Sequence, residues 1–156
     1  MLTYRKASIE DMDTLIRLRM DYLAEDRGAL PEAAQSAVAA QLREYFPRHM
    51  GSGFVAWLAE ADGGVAAVAF LAIAEMPANP SFITGKTGTV LNVLTYPQYR
   101  RQGVATQLIE RLIEEGRAQK LSYIKLSATE AGKPLYEKLG FMAEQSHYTE
   151  MKLRLA

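Results

Sequence analysis

The stretch from Thr89 to Ala128 constrains this chain most. A strand-like run, Thr89 to Thr95, passes through Tyr96-Pro97-Gln98 into an amphipathic helix, and a second strand-like run follows from Tyr123 to Ala128. In the helix Val104, Ala105, Leu108, Ile109, Leu112 and Ile113 share one face, with Gln107, Glu110, Arg111, Glu114 and Glu115 on the other. A strand, helix and strand in this order pack as a right-handed parallel crossover. Every other element must fit around it.

The start of that helix is electrostatically odd. Helix starts carry unpaired N–H groups and a partial positive charge, which favour Ser, Asp or Asn caps and early acidic residues. The segment Tyr99 to Thr106 offers Arg100, Arg101 and Gly103 instead. Two guanidiniums there cost a few tenths of a kcal/mol or more each, unless an anion takes up the donors. A bound phosphate resolves the conflict, and Gly103 and Ala105 keep the backbone bare enough for close approach.

The flanking chain reads in order. Leu2 to Lys6 is strand-like, and Ser8 with Asp11 resembles a capping box opening a helix that turns Met12, Leu15, Ile16, Leu18 and Leu23 inward. Pro31 suits the first turn of a second helix, expected to stop near Phe46, before Pro47. Phe54 to Glu60 and Val65 to Glu75 read as strands joined by the hairpin turn Ala61-Asp62-Gly63-Gly64. A loop with Pro77 and Pro80 reaches Gly88. Beyond the crossover, Ala131 to Leu139 reads as a short helix capped by Gly140, and Phe141 to Ala143 with Tyr148 to Leu155 as a closing hairpin-like pair. The sum is an α+β fold: a mixed, mostly antiparallel sheet flanked by helices, with one parallel strand-helix-strand crossover, in one domain over residues 1–156.

Composition narrows the function. Eighteen basic and eighteen acidic residues balance, so the field that draws a protein to nucleic acid is missing. No cysteine is present, which removes disulfides, thiolate metal sites and a cysteine nucleophile. The charged N-terminus lacks a signal peptide's apolar run, and Val65 to Ala74 is too short to cross a membrane, so a cytoplasmic setting is expected. Gly51-Ser52-Gly53 precedes a strand, where a dinucleotide fingerprint must follow one, and Gly85-Lys86-Thr87 lacks the first glycine of a phosphate loop, its place held by Pro80. His49 and His147 lack metal-ligand spacing and read as solvated. Asp21, Glu25, Asp26 and Glu44 read first as a solvated helix face, second as an attractant for a cationic amine.

Arg100-x-x-Gly103-x-Ala105 after a strand, with Leu135-Tyr136-Glu137-Lys138-Leu139-Gly140-Phe141 downstream, resembles the GCN5-related N-acetyltransferase family. The resemblance runs over nearly the whole chain. It implies acetyl-CoA as co-substrate, its pyrophosphate on the backbone of Arg101, Gln102, Gly103, Val104, Ala105 and Thr106 beside Arg100. Its pantetheine arm would run along Val93, Leu94 and Thr95, with the Leu94 N–H polarising the thioester. Tyr136 matches the general acid that protonates the leaving thiolate; the bland reading is a core aromatic. Thr129 stands where the family often has Asn, and Gly132 where it often has Ala. With no thiol nucleophile, the acceptor amine attacks directly in a ternary complex. Asn92 would hold a water relaying the amine's proton toward Glu75 or Glu130. Expected partners are a small-molecule or peptide amine, with no nucleic acid and no membrane, in a monomer or homodimer. The acceptor's walls are expected from Tyr22, Tyr45, Phe82 and Tyr148. Two other readings stand beside the enzyme: a catalytically silent acyl-CoA-binding module, and a scaffold whose turn binds phosphate loosely.

Overall fold

The computed structural model describes residues 1–156. Its sheet holds β1 (Thr3–Lys6), β2 (Phe54–Ala61), β3 (Gly64–Glu75), β4 (Lys86–Thr95) and β5 (Tyr123–Lys125), in that spatial order. The first four pair antiparallel, and β4 pairs with β5 parallel. Helices α1 (Met12–Arg27) and α2 (Glu32–His49) cover one face, and α3 (Val104–Ala118) is the crossover on the other, ahead of the short α4 (Lys133–Lys138).

Local chemistry explains the elements. The Asp62-Gly63 pair turns β2 into β3 with φ of 47° and 80°, the doubly positive geometry of a tight hairpin. Ala66 to Leu71 in β3 are all buried, as expected of a strand covered on both faces. On the α1/α2 side the core is aromatic, with Phe46, Phe54 and Phe70 rings 5.0 to 6.3 Å apart. On the α3 side it is small: Ala59, Ala66, Ala67 and Ala69 let Val104, Leu108, Ile109 and Leu112 settle close to the sheet. Each of those four is almost fully buried, contributing about 1.5 to 3 kcal/mol.

The strand expected from Tyr123 to Ala128 stops at Lys125, and three further expectations fail. Helix α2 does not stop before Pro47 but carries it inside the last turn. One lost hydrogen bond is offset there by burial of Phe46, and Met50 N–H still closes on Phe46 O at 2.9 Å. His49 is half-buried and stacks on Tyr45 at 4.5 Å, rather than standing free in solvent. The closing pair at Phe141–Ala143 and Tyr148–Leu155 does not form: no residue after Phe141 lies in a strand or makes a backbone-to-backbone hydrogen bond. The period-2 alternation of Met151, Leu153 and Leu155 is a strand pattern, but they are 83 to 89% exposed. A pattern of that kind forms a strand only when an edge receives it.

Candidate functional site at the split between two strands

The site arises where β4 and β5 part. Only Thr87, Gly88 and Thr89 pair with β5, so β4 from Val90 to Thr95 turns an unpaired edge toward a cleft of about 680 Å³. A bulge sits in the middle of that edge. Phe70 pairs with Leu91 and Val68 with Leu94, which leaves Ala69 facing both Asn92 and Val93. Asn92 takes the left-handed φ of 55° that such a kink needs, tolerated best by Asn after Gly. The residue is 1% exposed, with Oδ1 accepting from Arg19 Nη1 at 3.2 Å and Nδ2 donating to Leu18 O at 3.4 Å. Both ends of this amide are thereby tied to α1.

The register also fixes which N–H groups face the cleft. Tyr96 N–H donates to Ala66 O of β3, so two residues back the N–H of Leu94 points to β3 as well. Thr95, between them, turns the other way, and its carbonyl accepts Arg100 Nε at 2.8 Å. The Leu94 N–H expected at the thioester is thus on the ladder side of the strand.

The turn that follows is a row of free donors. The backbone N–H groups of Arg101 to Thr106 have no acceptor in the protein, six in succession at a helix start. Arg101 at φ 62° and Gly103 at φ 76° bend the chain twice, curling these groups around one point. No atom lies within 4 Å of where a Gly103 Cβ would sit, so the approach is open. The two arginines differ. Arg100 turns back, donating from Nη2 to Glu25 Oε1 at 2.8 Å as well as to Thr95 O, and so clamps the end of β4 to α1. Arg101 is exposed and makes no ion pair.

The opposite wall comes from the chain after β5. Leu126, Ser127, Thr129, Ala131, Gly132, Leu135 and Tyr136 line it. Thr129 Oγ1 accepts from Gly132 N–H at 3.1 Å, which starts α4. A Cβ on Gly132 would lie 3.3 Å from Tyr136 Cε2 and 3.2 Å from Thr129 Oγ1, so glycine here gives the tyrosine ring its room. Tyr136 is half-buried and meets Phe141 edge to face at 5.9 Å. Burial first, and Tyr22 second, push its hydroxyl above the ordinary tyrosine value.

Of the residues singled out in the sequence, Asn92, Val93, Leu94, Thr95, Arg100, Arg101, Gly103, Val104, Ala105, Thr129 and Tyr136 line this one cleft. Gln102 turns away, its Nε2 donating to Gln98 O, and the Thr106 side chain does not reach the wall. Glu75 and Glu130 lie outside the cleft. Of the expected acceptor walls only Tyr22 arrives; Tyr45 belongs to the aromatic core, Phe82 packs on Tyr123, and Tyr148 is exposed. Sequence reading gave no site role to Tyr99 or Arg19. The signal for α1 was its i, i+3, i+4 spacing: Tyr22, Glu25 and Asp26 share the face that meets the cleft.

The fold is shared with known acetyltransferases. The profile of the acetyltransferase (GNAT) family matches residues 15–141. A glucosamine 6-phosphate N-acetyltransferase of Trypanosoma brucei brucei is 34% identical over 84 residues, which are 53% of this chain and 55% of that protein. The match thus spans about half the length of that relative. A predicted acetyltransferase with acetyl-CoA from Clostridium acetobutylicum superposes with a TM-score of 0.81 at 28% identity, covering 97% of this chain and 96% of its own. A GCN5-related N-acetyltransferase from Ralstonia eutropha JMP134 gives 0.79 at 25% identity over 97% and 99%. With the family profile spanning the crossover, the donor turn and the Tyr136 segment together, the chain belongs to the acetyltransferase (GNAT) family.

Proposed function

We propose that this protein moves an acetyl group from acetyl-CoA to a primary amine, by direct attack of the amine while both are bound. The observation that carries this reading is the six-donor turn at the end of an unpaired strand edge, in one cleft with Tyr136. These residues suit the co-substrate: N–H groups at a helix start take a pyrophosphate, and an open edge takes the amides of a pantetheine arm. Acetyl-CoA supplies an activated acyl group. All other steps fall to the chain.

The turn fixes one end, and the arm leads back along β4 toward the bulge. There the N–H groups of Asn92 and Val93, at the bulge where the register shifts, would polarise the thioester carbonyl in our reading, since the Leu94 N–H points to β3. Asn92, held by Arg19 and Leu18, acts by keeping that bulge open rather than by holding a water. Tyr136 gives its proton to the leaving thiolate. Its raised pKa keeps the hydroxyl in the donating form at neutral pH when the thiolate leaves, and the tyrosinate left behind regains its proton from solvent. The amine must lose its own proton first, and no cleft residue is assigned that step.

The test joins two readouts. Tyr136→Phe is expected to lower kcat by roughly 100-fold, with the acetyl-CoA thermal shift unchanged. Because the pKa is raised, the wild-type basic limb assigned to Tyr136 should lie above the ordinary value of 10.0 and vanish in the variant. Thermal stabilisation by acetyl-CoA without thiol release from any amine would favour the silent binding module. Equal responses to acetyl-CoA and inorganic phosphate would favour the scaffold.

A further inference from the structure

We propose that Arg19 binds an anionic group of the acceptor, a carboxylate or a phosphate monoester, and so selects amines that carry one. This rests on the acetyl-transfer reading. Only Arg19 and Arg111 are partly buried among the arginines; the rest are exposed. Arg111 is well satisfied: its Nη1 donates to Gln107 O and Oε1 at 3.1 and 2.9 Å, and its guanidinium lies over the rings of Tyr4 at 4.4 Å and Trp57 at 5.5 Å. Arg19 has a single hydrogen bond, to Asn92 Oδ1, one distant ring at 6.0 Å in Tyr22, and no ion pair.

A guanidinium carries five donors, and this one leaves most of them idle. They are not sealed in, since Trp57 Nε1 is the only fully buried side-chain nitrogen or oxygen without a partner. Burial lowers the pKa of Arg19, outweighing the opposing pull of Tyr22 and Asp26, the direction for a cation that has lost water without a carboxylate in contact. Three carboxylates stand near: Glu25 holds Arg100, Asp21 accepts from Tyr96, and Asp26, which acts on Arg19 through charge without a hydrogen bond, lies 3.9 Å from Arg27 Nε. Position supplies the rest. Arg19 stands just behind the cleft wall: its neighbours Tyr22 and Asn92 line the cleft, its Nη1 is 3.2 Å from Asn92 Oδ1, and Asn92 forms the bulge where the acyl group would be delivered. An oxyanion held at Arg19 leaves an amine only a few bonds away facing that bulge. Planar donors in a fork favour carboxylate and phosphate over any neutral group.

The experiment uses matched primary amines: an amino-sugar phosphate against its neutral parent, and an α-amino acid against its amide. Coenzyme A thiol release is followed in wild type, Arg19→Gln and Arg19→Lys, with acetyl-CoA binding read by thermal shift in each. In wild type, kcat/KM for an anionic member should exceed that of its neutral partner by roughly tenfold or more, and the favoured pair tells phosphate from carboxylate. In Arg19→Gln that ratio should fall toward one through KM, and Arg19→Lys should restore part of it. Charge-blind turnover in wild type overturns the proposal and leaves acetyl transfer standing. Equal loss on charged and neutral amines in Arg19→Gln also overturns it, since Arg19 would then only hold Asn92. If acetyl-CoA binds but no amine releases thiol, the transfer reading falls first and this one with it.

Discussion

Residues 1–116 and residues 117–156 are built to different standards. The first part holds every buried residue of the chain, four of the five strands, helices α1 and α2 and all of α3 but its last two residues. After Gly116 nothing is buried, β5 is three residues long and α4 six. Yet the cleft needs both. Its donor turn and strand edge belong to the thick part, while Leu126, Thr129 and Tyr136 belong to the thin one. The cleft is therefore a joint between a fixed wall and a lightly held one. Few buried contacts and exposed backbone are the marks of a segment that opens at low free-energy cost.

The largest expected effect breaks the thick part. Phe46 is fully buried among Tyr45, Phe54 and Phe70, so Phe46→Ala should cost about 3 to 5 kcal/mol in urea unfolding, with the m-value unchanged. Acetyl-CoA affinity of the folded fraction should be nearly unaffected, because this ring is on the far side of the sheet from α3. A loss below about 1 kcal/mol would mean that the aromatic core is not what holds the first part together.

A smaller effect sharpens the comparison at the seam. A Cβ on Gly88 would meet Leu121 Cδ1 and Leu71 Cδ1, each at 2.8 Å, and Gly88 pairs with Ile124 of β5. Gly88→Val should therefore cost about 1 to 3 kcal/mol while prying β5 from its place. Here the two readouts should reverse their order: less stability is lost than in Phe46→Ala, and more acetyl-CoA affinity. Thermal shift with and without acetyl-CoA measures both. If affinity falls equally in the two variants, the walls of the cleft do not move independently.

The same division governs what was legible in the sequence. The crossover, the hairpin turn at Asp62-Gly63 and the buried run of β3 could be read because each has a local cause: period, turn chemistry or apolar continuity. The donor turn was legible because its arginines contradict the helix dipole. What escaped depends on distant partners. The direction of the Leu94 N–H follows from a bulge opposite Ala69, and the tie from Arg19 to Asn92 joins residues 73 positions apart. Pro47 stays helical because Phe46 is packed against strands that no local rule mentions. The end of the chain failed in the other sense: its alternation announces a strand, but alternation cannot supply the neighbouring edge.

That end gives the smallest expected effect. Residues 146–156 contain no buried side chain, and within them the only hydrogen bond is from Tyr148 N–H to the Ser146 hydroxyl at 3.0 Å. Removing them takes away no native burial and no contact with the cleft. A chain ending at Gln145 should therefore unfold within about 0.5 kcal/mol of the full chain. Amides from Met142 onward should exchange at near-unprotected rates, while those of β2 and β3 track global unfolding. A lowered melting temperature on truncation, or protected amides at Met151 to Leu155, would show the alternating segment seated on an edge in solution. The thin part would then be completed by its own last strand pattern, and the contrast between the two walls of the cleft would shrink accordingly.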